Sequence, residues 1–172
     1  WHNKNQPKVK MMAMEGAYHG DTFGAMSIGQ RGYFNKPFEH LFFDVDFIPF
    51  PIEEKEREIL KEVENQFKTN EFAGLIVEPL IQGSAGMCMY RPEFLEALFT
   101  LAKKYEVLII CDEVMTGWGR TGKMFALEYI QSQPDIICLS KGLTAGVMSL
   151  GLTVTTNTLF EAFLAPEKTK AL

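Results

Sequence analysis

The stretch VLIICDEVMTGWGRTGKMFALEYIQSQPDIICLSK, from Val107 to Lys141, constrains the fold of this chain more than any other. Two short apolar runs, Val107–Cys111 and Ile136–Leu139, have the length and β-branched content of buried strands. Between them lie a glycine-rich loop and a predicted helix from Phe125 to Gln131. Strand, helix and strand in one sheet form a right-handed parallel crossover. The fold class that follows is α/β, a mostly parallel sheet flanked by helices. In such open sheets ligands bind at the carboxyl ends of the strands. Asp112 and Glu113 follow the first run, and Ser140 and Lys141 follow the second. Asp112 and Lys141 are therefore expected to project from neighbouring strand ends into one crevice.

An acid and an amine in one crevice can be an ordinary ion pair. They also suit one chemistry. A lysine amine forms a Schiff base with an aldehyde cofactor such as pyridoxal 5'-phosphate, and a carboxylate keeps the pyridine nitrogen of that cofactor protonated. The strings DEVMTGWGRTGKMFALE and PDIICLSKGLTAG favour the second possibility. They resemble the cofactor-binding core of the class III pyridoxal-phosphate aminotransferases, of fold type I. YHGDTFGAMS (Tyr18–Ser27) and GLIVEPLIQGSAGM (Gly74–Met87) match the same family in the same order, so the resemblance runs from about Val9 to Phe163. Asp21 after Tyr-His-Gly, the spacing of Glu78 to Gln82, Met89-Tyr90-Arg91-Pro92 and Gly142-Leu143-Thr144 resemble the biotin-synthesis branch of that family.

The resemblance implies that Lys141 carries the cofactor and shuttles protons, and that burial near the cofactor helps it do so. It implies that Asp112 pairs with the pyridine nitrogen and that Val114 packs on the ring. Tyr18, Arg120 and Asp21 would meet substrate, with Tyr18 also against the cofactor. A small-molecule amino donor, a keto acceptor and a homodimer are implied as well. In the biotin branch the donor is S-adenosylmethionine and the acceptor 8-amino-7-oxononanoate. Another class III aminotransferase acting on a different amine, or a piece with no catalysis of its own, are the competing readings. Members of the family are longer. Residues 1–172 are thus expected to be part of the large cofactor-binding domain, without the earlier phosphate-binding turn and the later small domain.

Composition narrows the alternatives. Hydrophobic residues at 47% and charged residues at 23% are those of a globular protein. A net charge of −5 with no basic stripe argues against nucleic acid or a membrane surface as partner. No apolar run approaches the ~20 residues of a membrane span, and the first ten residues are unlike a signal peptide, so a cytoplasmic location is expected. Cys88, Cys111 and Cys138 form no C-x-x-C, which points to core packing rather than metal ligation.

Other segments add detail. Lys8–Met14 reads as a strand, followed by Tyr18 and His19 and then by a helix, Phe23–Ile28, that Asp21 or Thr22 can cap. On its own Tyr18 reads as an aromatic covering the core, and His19 as either a core histidine or a hydrogen-bonding neighbour of the site. The aromatic-rich stretch from Gly29 to Pro51 reads as loop that packs on a partner subunit. Glu53–Thr69 is an amphipathic helix, Ala73–Glu78 a buried strand, and Gln82–Met87 a flexible loop. In that loop Ser84 and Ala85 stand where glutamate-using relatives carry a glutamate, and Met115 stands where many have glutamine. Pro92 opens a further helix, and Leu150–Thr155 is a last strand before a short helix, Thr158–Leu164, closed by Pro166. Gly117–Gly122 is literally G-x-G-x-x-G, but it does not follow its strand at once and lacks the later acidic residue of a dinucleotide site. Arg120 within it is either an ion-pair partner of Glu128 or a carboxylate receptor.

Overall fold

The computed structural model describes residue 2 and residues 7–164. Its strands are β1 (Lys10–Met14), β2 (Val45–Ile48), β3 (Phe72–Val77), β4 (Ile81–Gln82), β5 (Cys88–Met89), β6 (Leu108–Asp112), β7 (Ile136–Leu139) and β8 (Leu152–Thr155). Its helices are α1 (Phe23–Ile28), α2 (Glu56–Phe67), α3 (Pro92–Lys104) and α4 (Asn157–Phe163). Six strands form one sheet in the order β2-β1-β3-β6-β7-β8, while β4 and β5 pair as a separate hairpin. All pairings in the large sheet are parallel except that of β7 with β8. The near-continuous apolar runs of β3 and β6 are what a parallel strand covered on both faces requires.

Register decides which residues share a face. Met12 pairs with Leu75 and Leu75 with Ile109, while Val77 pairs with Cys111 and Met14 with Ile48. These residues line one face, and α2 and α3 cover it with Ile59, Val63 and Phe67, and with Phe94, Leu95, Leu98 and Phe99. Each such fully buried side chain contributes about 1.5–3 kcal/mol. Asp112 is level with Cys138 on the opposite face. There Leu108, Ile110, Ile136 and Cys138 are only half-buried.

Four expectations are corrected. The connection from β6 to β7 contains only a 3-10 turn, Ala126–Tyr129, in place of the helix from Phe125 to Gln131. Pro134 disfavours helix in the residue before it, and the segment is too short to repay helix nucleation. The aromatic stretch contains β2, a short edge strand that its flanking prolines concealed. Residues Gln82–Met87 close the β4–β5 hairpin instead of forming a loose loop. β8 starts at Leu152 and not Leu150, whose carbonyl accepts the Ser140 hydroxyl at 2.7 Å. Elsewhere the expected strands and helices are present, with ends displaced by at most three residues. Thr22 caps α1 by accepting the Ala25 N–H, and Pro92 opens α3. Pro166 lies outside the described residues. Among the described residues no helix is long and apolar enough to cross a membrane.

Candidate active site

Polar residues stand at the carboxyl ends of β1, β3, β6 and β7. Asp112 ends β6 with its side chain almost wholly buried. It accepts a hydrogen bond from His19 Nδ1 at 2.8 Å through one oxygen and from the Val114 N–H at 3.0 Å through the other. The side chains of His19 and Asp112 are 2% and 9% exposed. An ionised carboxylate only accepts, so His19 carries a proton on Nδ1. Its Nε2 is buried and has no partner among the described residues. The choice left open for His19 by the sequence is thereby decided: it touches Asp112. The signal was present in Tyr-His-Gly at a strand end, but its partner lies 93 residues away.

Glu78, just past β3, ties this cluster to the hairpin. One of its oxygens accepts the Tyr18 N–H at 3.0 Å and the other the Gly83 N–H at 3.1 Å. Burial raises its pKa, and these two backbone donors oppose the rise only in part. The Tyr18 hydroxyl donates to Asp21 at 2.9 Å, and that bond is the main reason the phenol pKa is raised. Tyr18 and Asp21 line a cavity of about 900 Å³ whose other walls include Phe23, Met26, Phe34 and Phe38. Tyr18 is 45% exposed, so it does not cover the core as its neighbourhood in sequence suggested.

Glu113 was given no role by the sequence, yet it is fully buried. Its carboxylate accepts the Leu127 N–H at 2.8 Å and the Thr116 hydroxyl, and its carbonyl accepts the Gly117 N–H at 2.9 Å. It thereby folds the glycine loop back onto the turn before β7. Its one sequence signal was an acid placed directly after Asp112 in an apolar setting. Arg120 is exposed on that loop and does not pair with Glu128, whose carboxylate instead accepts the Phe125 N–H.

Lys141 follows β7 and is exposed, contrary to the burial expected for it. It lies past Leu139, the last paired residue of the strand, and so outside the apolar layer. Its backbone is left-handed, with φ of 45°. With Ser140, Thr144 and Val147 it lines a cavity of about 700 Å³. Lys141 and Asp112 form no ion pair with each other. Asp112, Val114 and Lys141 thus stand at adjacent strand ends, Tyr18 and Asp21 stand together beyond β1, and Arg120 lies apart on the loop. A buried carboxylate hydrogen-bonded by an imidazole, on the strand next to one whose end carries an amine with no acid partner among the described residues, fits a cofactor that brings a protonated ring nitrogen and an aldehyde. Among the described residues no group of His, Cys, Asp and Glu could hold a metal ion.

Comparison with known proteins shows the family. The family model "Aminotransferase class-III" matches residues 1–171. The adenosylmethionine-8-amino-7-oxononanoate aminotransferase of Synechococcus elongatus is 48% identical over 171 residues, covering 95% of this chain and 40% of the relative. That of Staphylococcus aureus is 40% identical, covering 94% of the chain and 38% of the relative. Among solved structures, the same enzyme from Methanocaldococcus jannaschii superimposes with a TM-score of 0.87 at 36% identity, over 99% of this chain and 40% of that one. An omega-aminotransferase from Paracoccus denitrificans gives 0.81 at 26% identity, over 90% of this chain and 37% of its own. The chain thus spans about 40% of the length of the curated relatives it matches. Over the length it does span, the family model and these matches show that the chain belongs to the class III aminotransferase family.

Proposed function

We propose that the protein containing this chain is a pyridoxal 5'-phosphate-dependent transaminase. It moves an amino group from S-adenosylmethionine to 8-amino-7-oxononanoate and so makes 7,8-diaminononanoate for biotin synthesis. The observation that carries the reading is the buried Asp112 carboxylate, held by His19, one strand away from a Lys141 that has no acid partner among the described residues. The substrates rest on the names of the relatives.

When bound, pyridoxal phosphate supplies the electron sink for the pair left on the substrate carbon as its proton departs. Asp112 keeps the ring nitrogen protonated, and the His19 and Val114 donors hold that carboxylate in place. Val114 is the residue that would lie against the ring. Lys141 would hold the cofactor through Nζ, and its amine is the group that would take up and return the substrate proton. Tyr18 packs beside the cofactor, and with Asp21 it flanks an apolar cavity suited to an aliphatic chain bearing a cationic head. Arg120 offers a planar guanidinium to a carboxylate. Ser84 and Ala85 in the hairpin turn supply no glutamate of the kind that, in glutamate-using relatives, pairs with a substrate-binding arginine outside these residues, which favours a donor other than glutamate. Residues 1–172 form part of the large domain, and a phosphate-binding turn and small domain outside them complete the site. The exposed aromatics Tyr33, Phe34 and Phe38 support a homodimer, and the location is cytoplasmic. The likeness to an omega-aminotransferase favours, as second reading, a class III enzyme acting on a different amine.

Borohydride reduction of the full-length protein followed by peptide mapping should label Lys141. Single-turnover spectroscopy should then show S-adenosylmethionine converting the cofactor absorbance and glutamate failing to. Label on another lysine sinks the site. Conversion by glutamate alone leaves the site standing and transfers the substrate assignment to the second reading.

A further inference from the structure

Lys141 is not the only non-glycine residue past the ends of β6 and β7 with a left-handed backbone. Trp118 has φ of 65° and Lys141 φ of 45°. L residues populate this region sparsely and hold it only where their surroundings over-determine it. The segments that carry them meet past the ends of β6 and β7, where Trp118 contacts the residues on either side of Lys141. The indole Nε1–H of Trp118 donates to the carbonyl of Ser140 at 3.2 Å. The same carbonyl accepts the Leu143 N–H at 3.0 Å, so both sides of it are occupied. Gly142 lies flush against the indole, where a Cβ would come within 2.6 Å of the Trp118 Cβ, Cγ and Cδ1. The residues on either side of Lys141 are therefore both held by one side chain.

Trp118 is itself fixed from behind. Its ring meets Phe125 edge-on with centroids 5.5 Å apart. Gly117 packs so close to the Glu113 carbonyl that a Cβ there would stand 2.9 Å from the oxygen. The buried Glu113 in turn holds the Thr116 hydroxyl and the Leu127 N–H. A chain of contacts thus runs from the end of β6, where Asp112 lies, to the turn that carries Lys141. Trp118 is 36% exposed and belongs to no core cluster, so packing of the core does not account for it.

We infer that Trp118 is a positioning residue that fixes the Ser140–Gly142 turn and so presents the Lys141 amine to the cofactor. The inference rests on the transaminase reading of the site. It is tested on the full-length protein stripped of cofactor, in wild type, Trp118→Phe and Trp118→Gly. The readouts are the rate of pyridoxal phosphate uptake by absorbance, the amount of borohydride-fixed label on Lys141, and the thermal unfolding midpoint. Glycine tolerates φ of 65°, so Trp118→Gly removes the clamp without adding strain. It should load roughly tenfold more slowly or worse, the scale of releasing one strained backbone position, at a temperature well below its unfolding midpoint. Trp118→Phe keeps the ring against Gly142 but loses the N–H, and should fall between. Loading of Trp118→Gly at the wild-type rate, with label still on Lys141, overturns the positioning role and leaves the transaminase reading intact. A loading defect that only follows a lowered midpoint, and that Trp118→Phe does not relieve, also overturns it. Absence of label on Lys141 in the wild type strikes the transaminase reading instead.

Discussion

Replacing His19 with alanine removes the one side-chain donor that the buried Asp112 carboxylate has among the described residues. A hydrogen bond to a charged group contributes about 1.5–3 kcal/mol, and its loss leaves the carboxylate with the Val114 N–H alone. The imidazole, 2% exposed, also leaves a void. The void is polar on one side and can admit water, which recovers part of the loss. Together these set the cost of His19→Ala at about 2–4 kcal/mol. His19→Asn separates the two contributions, because its amide nitrogen branches from the same carbon as Nδ1 and can still donate to Asp112. It should recover about half of the loss or more. Urea unfolding of the full-length, cofactor-free protein, extrapolated to zero denaturant, measures both variants. A cost below about 0.5 kcal/mol for His19→Ala, the range of an indifferent surface change, would refute the anchoring role. Equal losses for Ala and Asn would show that ring volume matters and the hydrogen bond does not.

Asp112→Asn in the full-length enzyme should leave the fold intact and slow turnover by roughly 10², the scale of losing a preorganised electrostatic partner. A wild-type rate would reduce Asp112 to a structural residue. Glu78 should titrate above the 4.5 of an ordinary glutamate, because burial penalises its charged form more than its two donors favour it. With its folded-state value raised, its titration favours the folded protein below pH 4.5, and that contribution is lost as pH rises through the raised value. A carboxyl carbon NMR titration checks this, and a midpoint at or below 4.5 contradicts it.

The sheet was legible because its strands are short apolar runs with sharp ends. Ile136–Leu139 was read to the residue, and β6 differs by one position at each end. Helices with an apolar stripe were equally clear: Ile59, Val63 and Phe67 are buried as their spacing requires. Where neither period applied, the reading failed. Val45–Ile48 has four residues among aromatics and prolines, and its identity as a strand depends on pairing with β1 more than on anything local. The turn Ala126–Tyr129 has helical composition without the length to sustain a helix.

The site divides along the same line. Asp112 and Lys141 were legible because each follows directly on a strand, and position at a strand end is a local property. His19 with Asp112, Tyr18 with Glu78, and Trp118 with Ser140 are contacts across 93, 60 and 22 residues, and no periodicity encodes them. Each joins one strand end to another, and each spends a buried or strained group to do so: an unpaired imidazole nitrogen, a carboxylate with a raised pKa, a left-handed tryptophan. Sheet stability alone calls for none of these. Their concentration at the carboxyl edge is what a site that must hold a carboxylate and an amine on separate strands would require.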